Sequence, residues 1–435
     1  MAITIIQSPQ RLQPAYNPNY VTASSTNSGQ DGFKYVVKIY TWLDGEGTWT
    51  NSFNALVPPN PDGLLVMNIG EIISQYVAHD LTPAEAGFKK CSTSIVRYYV
   101  SINEYYNSTY QNAEVTTGNA ANTEVGFNDT AQLAWNAALS FKDYQNYNKN
   151  TYLNTSTNDA QLLTSVTVNK IYASQNSWVY GIYQSPSGSV TTAACYQARV
   201  KTYSAADAGG TLLGTFLINN PFQIQNVSGV GRYMMRFPCG TYNLNQINFT
   251  DFNSGAQPVI TDSVLSYTVE IGKYIGSETF YNDIVTYNIE DNCNASKYTS
   301  YRLHWLNRLG GFDSFNFNCR SDVTDSNTKT TYTKSLGSLN GSNNWSYDLH
   351  ERTNINMSSR SDIRVTLNSD NLSETEAAMI RELISSPVVF IEVSATEVYA
   401  TNVLTQQFTY TTKKNEKVAN VTLEVTLPEY NAQRY

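Results

Sequence analysis

The amino-acid sequence predicts a mainly β protein of antiparallel, sandwich- or barrel-like domains with one or two short helices. Three observations carry this expectation. Apolar and polar residues alternate with a period of two in segments along the whole chain, which sends successive side chains to opposite faces of a strand. Tyrosine numbers 32 in 435 residues, and tyrosine and β-branched residues suit a pleated surface better than a helix. Signals that open and close a helix are few.

In chain order, Phe33 to Tyr40 places Phe33, Tyr35, Val37 and Ile39 on one face, and Asp44-Gly45-Glu46-Gly47 supplies turn chemistry before Trp49. That combination reads as a hairpin. Pro58 to Gly63 is a rigid turn, Leu64 to Ile69 a strand, and Ile69 to Val77 a short helix. Ile95 to Ile102 is extended. Asp129 through Ala138 is a helix candidate, although Trp135 to Phe141 reads equally well as extended. Strands are expected at Trp178 to Tyr183, Thr211 to Ile218 and Val388 to Val393. Val264 to Ile271 sets Leu265, Tyr267, Val269 and Ile271 against Ser266, Thr268 and Glu270. Val418 to Leu427 repeats the pattern, with Ala419, Val421, Leu423, Val425 and Leu427 opposing Asn420, Thr422, Glu424 and Thr426. One dry and one wet face is the antiparallel signature. The clearest helix is Glu374 to Ile384. Ser373 and Glu376 form its capping box, the Ser373 hydroxyl taking one free amide and Glu376 reaching back to another, and Pro387 prevents continuation.

A chain of 435 residues implies two or three domains at about 150 residues each. The polar tract Tyr144 to Asn158 suggests an N-terminal β domain over 1–150 and a middle β domain over 151–270. A C-terminal β domain then spans 271–435 and holds the helix 374–384. The polar run Ser321 to Trp345 includes Asn340-Gly341, a two-residue hairpin signal.

Charged residues make up only 15% of the chain and the net charge is -8. An acidic chain without clustered Lys and Arg is poorly suited to neutralising phosphates, so nucleic-acid binding is not expected. No run of about 18 apolar residues occurs, and the opening residues lack a basic leader, so a soluble product without a membrane span is expected. The five cysteines, Cys91, Cys195, Cys239, Cys293 and Cys319, are odd in number and scattered. That fits reduced thiols in a protein made in a cytosol.

Motifs that would announce an enzyme are missing: there is no phosphate loop, H-E-x-x-H, G-x-S-x-G, G-x-G-x-x-G or EF-hand loop. Only His79, His304 and His350 could serve a nucleophile as base. His304 shares a strand face with Arg302 and reads as a solvent-facing or interface residue. The pairs His79-Asp80 and His350-Glu351 diverge and have no third ligand at useful spacing. Paired carboxylates of glycosidase type need no motif, but Asp44, Glu46 and Asp313 lie in turn-rich stretches where acidic residues are ordinarily solvated. No catalytic residue, cofactor or metal is therefore expected. The Tyr and Trp rings are expected in cores or subunit interfaces, or on a glycan-stacking surface.

Three stretches point to a family. They are Ile5-Ile6-Gln7-Ser8-Pro9 with Pro14 to Pro18 and Gly32 to Val37; Tyr301-Arg302-Leu303-His304-Trp305-Leu306-Asn307-Arg308-Leu309-Gly310-Gly311-Phe312-Asp313; and Leu383 to Val389 running on to Tyr430-Asn431-Ala432-Gln433-Arg434-Tyr435. Together they resemble virion structural proteins of tailed bacteriophages that infect Bacteroides and its relatives, the crAss-like group included. The second stretch is similar to a recurrent W-L-N-x-x-G-G segment, in which Trp305, Asn307, Gly310 and Gly311 have structural rather than catalytic roles. Residues 150–260 lie outside the resemblance. It implies a tail component of neck, tail-barrel or baseplate type, made in the host cytoplasm and resident in the virion. It further implies homomeric rings, of about twelve or six copies, that contact other tail proteins and let DNA pass without specific binding. The expected function is thus a non-enzymatic ring protein of a phage tail. A receptor-binding protein that grips host glycans is the alternative, and a tail-borne glycan hydrolase a third.

Overall fold

A computed structural model of the chain describes residues 2–42, 49–111, 114–117, 131–154, 160–184, 195–221, 232–274, 278–280, 283–290, 298–370, 372–407, 420–427 and 432–434. The fold is mainly β, in several mostly antiparallel sheets without a closed barrel. The chain divides into two compact units. The first comprises Met1–Asp291, Trp305–Ser314 and Ser394–Thr396; the second comprises Asn292–His304, Phe315–Val393 and Glu397–Tyr435. A three-part division with a boundary at 270/271 does not hold, because that point falls within the strand Ser266–Tyr274, which pairs with Cys195–Tyr203 on one side and Val285–Ile289 on the other. A strand ladder cannot be divided without breaking its backbone hydrogen bonds.

The first unit contains two apolar cores. The N-terminal core draws on residues from Ile3 to Ala134. Its main sheet has the order Leu12–Pro14, Gln132–Trp135, Ile95–Tyr106, Lys34–Trp42, Thr50–Val57. Lys34–Trp42 and Thr50–Val57 pair antiparallel, as the hairpin reading expects, while the Asp44 to Gly47 turn lies outside the described residues. Phe33, Tyr35, Val37 and Ile39 are all buried, as their alternation implies. The second core draws on Phe88, Leu162 and strands through Tyr287. Its largest sheet runs Val168–Ile171, Val285–Ile289, Ser266–Tyr274, Cys195–Tyr203, Leu212–Asn219, Phe252–Ser254.

Two sequence expectations are corrected here. The helix expected from Asp129 through Ala138 is the strand Gln132–Trp135, buried along its length between Leu12–Pro14 and Ile95–Tyr106. Its alanines favour a helix, and pairing on both edges overrides that preference. The strand expected at Val264 to Ile271 is Ser266–Tyr274; Leu265, expected on the dry face, precedes it and is exposed, and the face meant to be wet is buried. Ser266, Thr268 and Glu270 are covered, with Glu270 held by Arg199 and by Lys201 at 3.7 Å. Of the places expected for the tyrosines, the cores take several. Tyr35, Tyr98, Tyr180, Tyr183, Tyr267 and Tyr287 are fully buried, and Tyr267 stacks on Tyr287 at 4.9 Å. Tyrosine abundance therefore builds cores and does not by itself mark an interface.

Neutral amides explain how so few charges suffice. A buried asparagine can donate and accept at once, so one side chain satisfies both kinds of backbone group in an irregular segment. Asn17 donates to the Leu139 carbonyl at 2.9 Å and accepts from the Leu139 amide at 2.8 Å. Asn243 accepts from the Ser177 and Gly240 amides, both at 3.1 Å, and donates to the Glu85 carbonyl at 2.8 Å.

In the second unit, Asp322–Thr333 pairs antiparallel with Asn354–Asn368, whose outer edge takes Thr422–Thr426 at one end and Ala432–Arg434 nearby. Val421, Leu423, Val425 and Leu427 are buried as expected; Val418 and Ala419 lie outside the described residues. Among the described residues, the longest α-helix is Glu374–Ser385, and the others have four or five residues. Its capping box forms as the sequence implies: Glu376 N donates to the Ser373 hydroxyl at 3.2 Å, and Ser373 N donates to the Glu376 carboxylate at 2.8 Å. Ser373→Ala is expected to lower the stability of this unit by about 1 kcal/mol, read from urea unfolding followed by far-UV circular dichroism.

Candidate functional site

The W-L-N-x-x-G-G segment is a rigid turn in the first unit. Strands Tyr301–Leu306 and Phe312–Phe317 flank it. Asn307 organises the turn with a fully used side chain. Its amide donates to the Leu163 carbonyl and to Asp313, both at 2.9 Å, and its carbonyl oxygen accepts from the Leu309 and Gly311 amides, both at 3.0 Å. Gly310 has φ +91°, and a Cβ there would lie 2.4 Å from the Asn136 carbonyl oxygen; a Cβ on Gly311 would lie 2.4 Å from that of Leu163. Both positions need glycine because a neighbouring backbone occupies the side-chain space. Trp305 is fully buried, and Trp135 donates to the Leu309 carbonyl at 2.9 Å. Asp313, weighed above as a carboxylate for hydrolysis, is buried and accepts from Asn307 and from the Thr164 hydroxyl at 2.5 Å. It is a clamp for the turn.

Besides Glu270 with Arg199 and Lys201, two ionisable clusters lie inside the protein among the described residues. In the first unit, the buried Arg236 guanidinium meets Asp80 at 2.7 Å and grips Glu85 with two nitrogens, at 2.6 and 2.8 Å. Burial opposes its charge, and the groups around it, the hydrogen-bonded Glu85 carboxylate first among them, together outweigh this. Burial pushes the adjacent Cys91 thiol up to about 12, which leaves it unreactive as a nucleophile. In the second unit, His304 Nε2 lies 2.6 Å from Glu392 Oε2, and His304 is 0% exposed. The expectation of a solvent-facing histidine is therefore corrected: Arg302 and His304 are both internal.

Burial holds His304 below the usual histidine range, with the Glu392 carboxylate opposing and Arg302 adding to the shift. The unfolded chain then takes up a proton more readily than the folded one. The contribution of His304 to stability is complete above about pH 6.5 and declines as pH falls from there towards its folded value. His304→Gln is expected to flatten this decline, measured as the urea midpoint between neutral and mildly acidic pH.

Among the described residues no group of three or more His, Cys, Asp or Glu is placed to hold a metal, and no helix is long and apolar enough to cross a membrane. Cys91, Cys239 and Cys319 are free thiols, while the side chains of Cys195 and Cys293 lie outside the described residues.

The surface feature that stands apart is the ribbon of Asp322–Thr333 and Asn354–Asn368. Every residue of Asp322–Thr333 is exposed, so this strand has water on both faces. The shift in register between Thr330↔Ser358 and Thr331↔Asn356 leaves Met357 as a bulge. At the tip, Ser338–Leu339 pairs with Trp345–Ser346. The Asn340-Gly341 signal marks this turn, but the loop spans Asn340 to Asn344, with the Asn340 side chain accepting from the Ser342 and Asn344 amides at 3.0 Å. Gly337 has φ +90° because Trp345 lies over it, and the Trp345 indole donates to the Leu336 carbonyl at 3.0 Å. Leu349 is 99% exposed, Tyr347 65% and Trp345 59%. Sequence reasoning found a polar run and a turn here but missed the ribbon. Its signal is a second Ser-, Thr- and Asn-rich stretch, Asn354 to Ser361, placed to pair with the first.

No protein-family model and no curated protein matches this chain.

Proposed function

We propose that this chain is a non-enzymatic structural protein of a phage virion, assembling into a homomeric ring in the tail and joining neighbouring tail components. The observation that carries the reading is the exposed ribbon. A two-stranded ribbon with water on both faces is marginally stable alone, and an unpaired strand edge invites another chain. Proteins that do not assemble ordinarily shorten, charge or cover such edges. The resemblance of Trp305 to Gly311 and its companion stretches to tail proteins supplies the setting. A net charge of -8 fits a lumen that repels DNA and lets it slide.

The test is reconstruction of purified particles, with the chain expected at several symmetric positions around the tail axis. Its absence from particles overturns the reading. A receptor-binding role is favoured by one observation, the exposure of Trp345 and Tyr347 at the ribbon tip, since aromatic faces pack against sugars. It predicts glycan-array binding that Trp345→Ala abolishes, whereas the ring reading predicts none.

A further inference from the structure

We propose that the ribbon is the arm through which one copy pairs with the next: the outer edge of Asp322–Thr333 on one copy adds, antiparallel, to the open outer edge of Asn354 to Asn356 on its neighbour. This rests on the ring reading above, and it names the contact that reading requires. Two open edges of different identity lie on opposite sides of the same ribbon. Among the described residues, Asp322–Thr333 pairs only with Asn354–Asn368 and presents its whole outer edge. On Asn354–Asn368, Ala432–Arg434 covers Ser359 to Ser361 and Thr422–Thr426 covers Arg364 to Asn368, while no described strand pairs with the outer edge before the Met357 bulge. Ribbons laid side by side, tips together, bring the first edge of one against the second edge of the next in the antiparallel sense. Every ribbon then uses both edges, and the contact is head-to-tail, the kind that closes rings.

Charge selects a second copy as the occupant. Between Asp322 and Asn368 there are five carboxylates and five Lys or Arg side chains, so the arm is neutral, while the whole chain carries -8. Copies therefore meet least repulsion through their arms. The segments brought together, Thr331 to Thr333 and Asn354 to Asn356, contain no charge at all. Thr and Asn side chains pair readily with their like across strands. The same arrangement brings each tip beside its neighbour's, where Leu349, Tyr347 and Trp345 lose water together.

The competing arrangement pairs Asp322–Thr333 with itself about a two-fold axis. Centred on Asn327, it would set Asp325 against Lys329 twice. It leaves Asn354 to Asn356 open, and it makes pairs rather than rings.

Cysteine cross-linking of the full-length chain separates these outcomes. Thr331→Cys and Asn356→Cys, both at exposed positions, are made in separate chains, mixed, and oxidised gently with diamide; the unaltered chain serves as background. The mixture is expected to give a disulfide-linked dimer containing one of each, with neither variant cross-linking alone. A third variant, Asn327→Cys, lies at the centre of the two-fold arrangement, and its cross-linking with itself overturns the proposal in favour of that contact. No cross-link in a sample that still assembles overturns it and leaves the ring reading standing; no cross-link in a monomeric sample overturns both. As a second measurement, Thr331→Lys with Thr333→Lys charges the outer edge of Asp322–Thr333 without setting like charges opposite each other in one ribbon, where Thr331 faces Asn356. It is expected to raise the concentration needed for assembly by about tenfold or more with an unchanged circular dichroism spectrum, and unchanged assembly counts against the proposal.

Discussion

Asn307→Leu is expected to destabilise the first unit by about 3–5 kcal/mol, more than any surface change. The side chain makes four hydrogen bonds within a buried turn, and leucine of similar size can replace none of them. The Leu163 carbonyl, the Asp313 carboxylate and the Leu309 and Gly311 amides are left to find partners where water is excluded, at about 1–3 kcal/mol for each that stays unsatisfied. Asn307→Asp tests the chemistry at constant shape. It retains the acceptor that serves the two amides but sets a second carboxylate against Asp313, so its penalty should shrink as pH falls from neutrality towards the ordinary carboxylate range of about 4. Urea unfolding followed by tryptophan fluorescence reads both, because Trp135 donates into the same turn. A variant Asn307→Leu within 1 kcal/mol of the unaltered protein would remove Asn307 from its place as organiser of the segment.

Arg236→Met is the second large effect, expected to cost about 3–5 kcal/mol. The guanidinium is 3% exposed and is shared by Asp80 and Glu85, themselves largely covered. Removing it strands two carboxylates near each other with their counter-charge gone. The loss should lessen when Asp80→Asn and Glu85→Gln accompany it, because a buried ion pair replaced as a whole is often close to neutral. Measured unfolding that is unchanged in the single variant, or that fails to recover in the triple one, would show that the cluster is not held by its charges.

The balance between what was legible in the sequence and what was not follows from the range of the interactions. Lys34–Trp42 and Thr422–Thr426 could be read because each buries one clean face, so alternation within the segment suffices. The capping box of Glu374–Ser385 is local by nature, and so is the Asn307 to Gly311 turn. What failed depended on distant partners. Gln132–Trp135 looks helical in isolation and is a strand because Leu12–Pro14 and Ile95–Tyr106 flank it. Glu270 reads as solvated until Arg199, 71 positions away, is seen against it. His304 reads as surface until Glu392, 88 positions away, closes over it. The arm escaped notice for the opposite reason: with no face to bury, Asp322–Thr333 carries no apolar period, and only pairing with a second polar stretch reveals it as a strand.

The placement of tyrosine matters for the functional reading. Ring-rich composition alone is compatible with an interface, yet six tyrosines are fully buried in cores, and the case for assembly rests on a polar ribbon that no apolar count would flag. That case does not depend on any reactive group. Of the buried groups described above, Asp80 and Glu85 are bound by Arg236, Asp313 by Asn307 and Thr164, and His304 by Glu392.

The mass of the purified full-length chain in solution, followed by native mass spectrometry across a wide range of concentration, tests the central claim most directly. A single discrete multiple of the 48.5 kDa chain, formed cooperatively without a ladder of intermediate sizes, is the expected result. A species of one chain at every concentration would contradict it.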